Sequence, residues 1–187
     1  MIEIRWHGRG GQGAKTASQF LGEAALDTGR YIQSFPEYGP ERAGAPMKAF
    51  NRISERPITI HSPVTNPQIV IVIDPTLIGA IDVTEGMDGK GTLLVNTDKS
   101  PQDIRKETGF TKGKVVTVDA TKISIETLGI PMPNTPMLGA LLKVNELVSV
   151  NELLEVVKKK FIKKIGEAKT NSNIEGIKRA YNEAKIG

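Results

Sequence analysis

The chain has 187 residues, 39% of them hydrophobic and 25% charged, with a formal net charge of +4. It contains no cysteine and only two histidines, which excludes disulfides, thiolate nucleophiles, cysteine zinc sites and cysteine-ligated iron–sulfur clusters within this chain. The length suits one sizeable core and the composition is that of an ordinary globular protein, so a single domain over 1–187 is predicted.

The longest apolar run, IVIVI at 69–73, is too short to cross a bilayer. The N-terminus shows no basic stretch followed by an apolar one, and the expected location is the cytoplasm. Residues 151–187 carry nine Lys and Arg against five Asp and Glu, whereas the preceding residues balance. The run KKKFIKK at 158–164 holds most of that excess. Aromatics do not interleave with it, so a solvated helix face near a helix C-terminus is predicted, not a nucleic-acid surface.

In chain order, IEIRWH at 2–7 alternates as a strand with Ile2, Ile4 and Trp6 on one face. Glycines follow, then a helix with Ala17, Phe20, Leu21, Ala24 and Ala25 in helical spacing, closed by Gly29. YIQSF at 31–35 reads as a strand, followed by a Pro- and Gly-dense loop over 36–46. MKAFNRIS at 47–54 reads as a strand, with ITIHS at 58–62 as its hairpin neighbour. Strands at 69–74, 92–96 and 115–119 are continuous apolar runs, separated by helices around 76–86 and 101–107.

NTPMLGALLKV starts a helix with Asn134 or Thr135 as N-cap and Pro136 at the first helical position. The remainder, 149–187, is a helical tail with Val150, Leu153, Leu154, Val157 and Phe161 on one stripe. The predicted fold is α/β: a mostly parallel, Rossmann-like open sheet with helices on both faces, an inserted antiparallel hairpin and a helical C-terminus. Ligands of such sheets bind beyond the carboxyl ends of the strands, where His7–Gly8, Asp74, Asn96 and Asp119 stand. Asp119 is better read as a helix N-cap.

GRGGQGAKT at 8–16 joins the first strand to the first helix. Gly8, Gly10 and Gly13 match G-x-G-x-x-G, a turn that brings backbone N–H groups to a pyrophosphate at a helix N-terminus. The dinucleotide reading also needs an acidic residue about 20 positions on, and YIQSF supplies none. A P-loop is equally unsuited, because Ala14 intrudes before Lys15–Thr16 and rotates the lysine by about 100°. What remains is an anion-binding turn, with a ligand-free glycine turn as the bland alternative.

The loop FPEYGPERAGAPMKAF at 35–50 offers Glu37, Tyr38, Glu41 and Arg42 as a contact surface, or else packs on itself. A free-standing NAD-dependent dehydrogenase would need an acid/base drawn from His7 or His61, both better read as structural. A non-catalytic nucleotide-binding module is the stronger alternative.

WHGRGGQGAKTAS, SFPEYGPERAGAPMKAF and NTPMLGA occur here in one order, and together they resemble the gamma subunits of 2-oxoacid:ferredoxin oxidoreductases. The likeness spans Ile2 to about Val148 and is closest to the pyruvate (pyruvate synthase) and 2-oxoisovalerate branches. It implies a non-catalytic subunit, inactive alone, of an enzyme that decarboxylates a 2-oxoacid with CoA, reduces ferredoxin and releases acyl-CoA and carbon dioxide. Alpha, beta and delta partners would carry thiamine diphosphate, magnesium and [4Fe–4S] clusters. This chain would supply subunit interfaces, at Glu37, Tyr38, Glu41 and Arg42, and a CoA phosphate site. That site comprises Gly8, Arg9, Gly10, Gly11, Gln12 and Gly13, with backbone N–H groups and the Gln12 amide as donors and Thr16 adding its hydroxyl.

Overall fold

Along β1 (Ile2–Arg9), Ile4 and Trp6 alternate with Arg5 and His7, and all four are buried. A strand buried on both faces must sit inside its sheet. The computed structural model, which describes residues 1–38 and 44–187, shows why. The remaining strands are β2 (Tyr31–Tyr38), β3 (Pro46–Ser54), β4 (Ile69–Val72), β5 (Thr92–Asn96), β6 (Lys114–Val118) and β7 (Lys185–Ile186). They form one seven-stranded sheet in the order β2-β3-β1-β4-β5-β6-β7. β1, β4, β5 and β6 pair in parallel, while β3 runs antiparallel to both β1 and β2, and β7 antiparallel to β6.

The antiparallel insertion is therefore β2–β3, not a pair over 47–62. Both edges of β3 are taken by β1 and β2, which leaves 58–62 no partner, and it forms no strand. Its carbonyls serve the buried Arg52 side chain instead: Nη2 donates to the Ser62 carbonyl at 2.7 Å. Gln33 Nε2 donates to the Ile60 carbonyl at 2.9 Å. The helix expected around 76–86 is also absent beyond a 3-10 turn at Pro75–Leu77. The chain turns there instead, and the carbonyls of Val83 and Glu85 accept from Arg5 Nη2 at 3.1 and 2.6 Å.

Helices cover the two faces unequally. On the face of Ile4 and Trp6 lie α1 (Ala14–Asp27), α3 (Ala120–Leu128), α4 (Asn134–Val144) and α5 (Val150–Glu183). On the other face, Val70, Val72, Leu93 and Val95 pack beneath α2 (Pro101–Thr108) and the turns carrying Leu77 and Val83. The sequence pattern did not reveal α3, although its N-cap was legible: Asp119 Oδ1 accepts from the Lys122 N–H at 2.9 Å. α4 begins at Asn134 without a side-chain cap. The Thr135 hydroxyl instead donates to Asn173 Oδ1 at 2.8 Å. α4 and α5 cross so closely that a Cβ at Gly139 would collide with the Ile177 carbonyl.

α1 is fastened to the sheet by one amide. Asn51 Oδ1 accepts from Trp6 Nε1 at 2.8 Å, and its Nδ2 donates to the Ser18 carbonyl at 2.8 Å and to Ser34 Oγ at 2.7 Å. Trp6 of β1 and Ser18 of α1, which it links, are both buried. Asn51→Leu keeps the volume and strands these groups without partners, so a loss of about 2–4 kcal/mol is expected. Urea unfolding followed by Trp6 fluorescence measures it, and an unchanged midpoint would contradict this role.

Candidate functional site

The glycine stretch leaves β1 at Arg9 and enters α1 at Ala14. Its candidate residues divide into two sets. Gly8 lies within β1 opposite Met47, and the Gly10 N–H donates to the Ala45 carbonyl at 3.0 Å. Gln12 braces the turn: its Oε1 accepts from the Arg9 N–H at 2.7 Å, and its Nε2 donates to Asp74 Oδ2 at 2.7 Å. Arg9 Nε donates to the same oxygen at 3.1 Å, and Arg9 Nη2 donates to Thr76 Oγ1 at 3.1 Å. The Gln12 amide expected to face a phosphate is thus engaged inside the loop.

Gly11, Gly13 and Thr16 form the second set, and they open on a cleft of about 420 Å³. Gly13 is the N-cap of α1 at φ 80, a conformation natural only to glycine, and a Cβ there would press on the Asn134 amide. No side chain caps α1, and its first turn has no acidic residue, so its N–H groups and the positive end of its dipole remain available to an anion. The opposite walls are apolar, from Leu128, Ile130, Met132, Phe161 and Ile165. Lys169 adds a cation at the rim. The buried Asn134 has a side-chain oxygen with no partner among the described residues.

α3, α4 and α5 supply these walls from positions more than a hundred residues beyond the glycines, which is why Lys169, Phe161 and Ile165 were not legible as site residues. From the sequence Asn134 reads only as a helix N-cap candidate, not as a site residue. A hollow of about 500 Å³ around Arg30 and Tyr181, and one of about 330 Å³ beside the end of α2, do not include the glycine turn.

Asp74 organises the turn. Burial by itself would raise its pKa, but hydrogen bonds from Thr76 and Gln12, with the Arg9 guanidinium, outweigh it and hold the carboxyl below its usual range. His7 is different: burial first, then the charges of Arg5 and Lys48, lower its pKa to about 3. Arg5 Nε donates to its Nε2 at 3.0 Å. A neutral, buried imidazole held this way cannot act as an acid/base near pH 7. His61 is exposed. Glu37 lies in β2 and lines a hollow of about 170 Å³ with His7, Met47 and Lys48. Tyr38 ends β2, and Glu41 and Arg42 lie outside the described residues.

A mostly parallel α/β sheet whose first helix starts uncapped at a glycine, beside an apolar cleft, defines a Rossmann-like α/β protein. The match to the family model described as pyruvate ferredoxin/flavodoxin oxidoreductase covers residues 3–183, and the chain belongs to that family. It is 50% identical over 184 residues to a protein of Thermotoga maritima named pyruvate synthase subunit PorC, covering 98% of this chain and 95% of that one. It is 42% identical over 186 residues to the Pyrococcus furiosus pyruvate/ketoisovalerate oxidoreductases common subunit gamma, covering 100% and 98%. The crystal structure of the Thermotoga maritima pyruvate oxidoreductase subunit superposes with a TM-score of 0.88 at 46% identity, over 100% of this chain and 98% of that one. A Magnetococcus marinus 2-oxoglutarate:ferredoxin oxidoreductase, solved with coenzyme A and succinyl-CoA bound, shares the fold at 19% identity and a TM-score of 0.79, over 97% of this chain and 30% of that one. The chain is a gamma-type subunit, and the catalytic activity belongs to the complex.

Two measurements test the site's construction. Asp74→Ala removes the acceptor shared by Arg9, Gln12 and Thr76 and should cost about 1–3 kcal/mol. The contribution of its lowered pKa is present above about pH 4 and lost as pH falls further. For His7 the unfolded chain, with a pKa of about 6.5, takes up the proton first. Stability is therefore full above about pH 6.5 and falls by up to about 1.4 kcal/mol per unit as pH drops toward the folded value. Urea midpoints across that range should show the slope, and His7→Gln should flatten it.

Proposed function

We propose that this chain serves a pyruvate-type 2-oxoacid:ferredoxin oxidoreductase by holding the phosphates of CoA at the N-terminus of α1. The enzyme converts pyruvate and CoA to acetyl-CoA and carbon dioxide while reducing ferredoxin. Alpha, beta and delta subunits, or fused equivalents, hold thiamine diphosphate, magnesium and the [4Fe–4S] clusters, since this sequence has no cysteine to ligate a cluster. Residues 1–187 act as one domain in the cytoplasm; no helix among the described residues is long and apolar enough to cross a membrane.

One observation carries the CoA reading: α1 starts at a glycine with no side-chain cap and no acidic first turn, facing an apolar cleft. CoA supplies the thiol that accepts the acyl group, and its phosphates are the anions that a helix N-terminus favours. Backbone N–H groups from Gly13 to Thr16 would hold a phosphate, the Thr16 hydroxyl would donate to it, and Lys169 would add charge. Arg9 and Gln12 keep the turn in shape behind them.

The choice of oxoacid lies with the partner subunits. The Pyrococcus furiosus relative is named as common to pyruvate and ketoisovalerate enzymes, so the branched-chain acid is the alternative substrate. Glu37, Tyr38, Glu41 and Arg42 form a subunit contact in this proposal.

Thr16→Glu tests the CoA site cleanly. A carboxylate in the first turn favours the helix yet repels a phosphate in the cleft. In the reconstituted enzyme KM for CoA should rise about tenfold or more, with thermal stability and CoA-independent decarboxylation unchanged. An unaltered KM would refute the proposal.

A further inference from the structure

α5 is two arms joined at Gly166, whose backbone (φ 80, ψ 170) only glycine holds comfortably. The first arm lies on α1: Phe161 packs edge-on against Phe20 at 5.0 Å, and Lys160 Nζ pairs with Glu23 at 2.9 Å. The second arm returns along α3 and α4, burying Asn173, Ile177 and Ala180. Between them residues 162–169 are exposed without exception. A helical segment resting on the body along its length would hide a residue every three or four positions; here Ile165 and Lys169 turn toward the cleft, and the other side of the elbow is left uncovered by its own chain.

Its composition is unlike that of a plain solvated face. Leu153, Val156 and Val157 are the buried stripe of the first arm. At about 100° per residue, Ile162 falls nearly opposite that stripe, so the core does not require it. Ile162 and Ile165 are 38% and 37% exposed, three positions apart on one side of the helix. Lys158 and Lys159 flank them one turn earlier. Lys163 and Lys164 lie in the last turn before the break, where they complement the helix dipole. That explanation does not reach Lys158, Lys159 or the isoleucines. Among the described residues none of these four lysines is in an ion pair.

We propose that this elbow docks the chain onto an acidic face of another subunit of the oxidoreductase, with Ile162 and Ile165 at the centre of the contact and lysines around them. Charge complementarity selects the partner: the positive excess of the chain lies in 151–187, and an apolar centre with a charged rim is the anatomy of a protein interface. Nucleic acid would leave the isoleucines exposed and has no interleaved aromatic to stack on. The proposal rests on the chain being a subunit of that enzyme; because Ile165 also walls the cleft, its test uses Lys158, Lys159 and Ile162, which do not line it.

The test uses the remaining subunits and this chain, with association measured at about 50 and about 300 mM salt, across which screening shortens markedly. Lys158→Glu with Lys159→Glu, outside the last helical turn, should weaken association about tenfold or more and reduce its salt dependence. Ile162→Ser should weaken it about threefold or more at both salts. All three positions are exposed, so unchanged circular dichroism and melting are expected alongside. Association equal to wild type in all variants would overturn the proposal. So would duplex DNA binding that the lysine substitutions abolish while assembly persists. A wild-type chain that never joins the other subunits would instead overturn the subunit reading itself.

Discussion

One carboxylate sets the geometry on which the rest of the site depends. Asp74 stands at the end of β4 and accepts from Gln12, Arg9 and Thr76 at 2.7, 3.1 and 2.6 Å. Three separate stretches of chain therefore converge on two oxygens: the end of β1, the turn into α1 and the turn after β4. Hydrogen bonds to a charged acceptor are the stronger kind, and these keep the carboxyl ionised despite its burial. With Arg9 and Gln12 committed inward, only the backbone of Gly11 and Gly13 and the first turn of α1 face the cleft. The loop is thereby preorganised without a side-chain cap, which a helix N-terminus needs if it is to receive an anion.

Packing from below completes this arrangement. Asn51 ties α1 to three strands, and the contact of Gly13 with Asn134 ties the start of α1 to the start of α4. Gly139 lets α5 approach α4 at backbone distance. α5 can therefore return past the glycine turn and place Lys169 and Asn173 at the cleft, while its elbow projects beyond it. The glycine-led start of α1, the apolar wall and the basic elbow occur at one end of the molecule because α5 runs past both α1 and α3.

The chemistry divides between this chain and its partners along a compositional line. The sequence holds no thiolate, and its one buried histidine is held neutral by burial and two neighbouring cations. What the chain offers is shape, backbone donors and surface charge. Those suit a gamma-type subunit of an enzyme whose catalytic activity belongs to the complex.

Much of this was legible in the amino-acid order because it is local. Apolar alternation marked β1, and continuous runs marked β4 to β6. The glycines at 8–13 announced a strand–turn–helix junction, and Asp119 announced a helix start. Other features were decided by tertiary structure, because each depends on competition between distant groups. β3 gave both edges to β1 and β2, so 58–62 lost its place as a strand, and Arg5 holds the carbonyls of Val83 and Glu85 in turns where a helix over 76–86 was expected. Gln12 turned inward because Asp74, 62 positions away, is a better acceptor than water. Lys169 reached the cleft only because Gly166 breaks α5 and Gly139 admits its return. The sequence by itself determined the alternating elements, the glycine-led helix start and the lack of any cysteine ligand. Only the folded chain decided which donors stay free for a ligand, since that depends on which acceptors burial brings within reach.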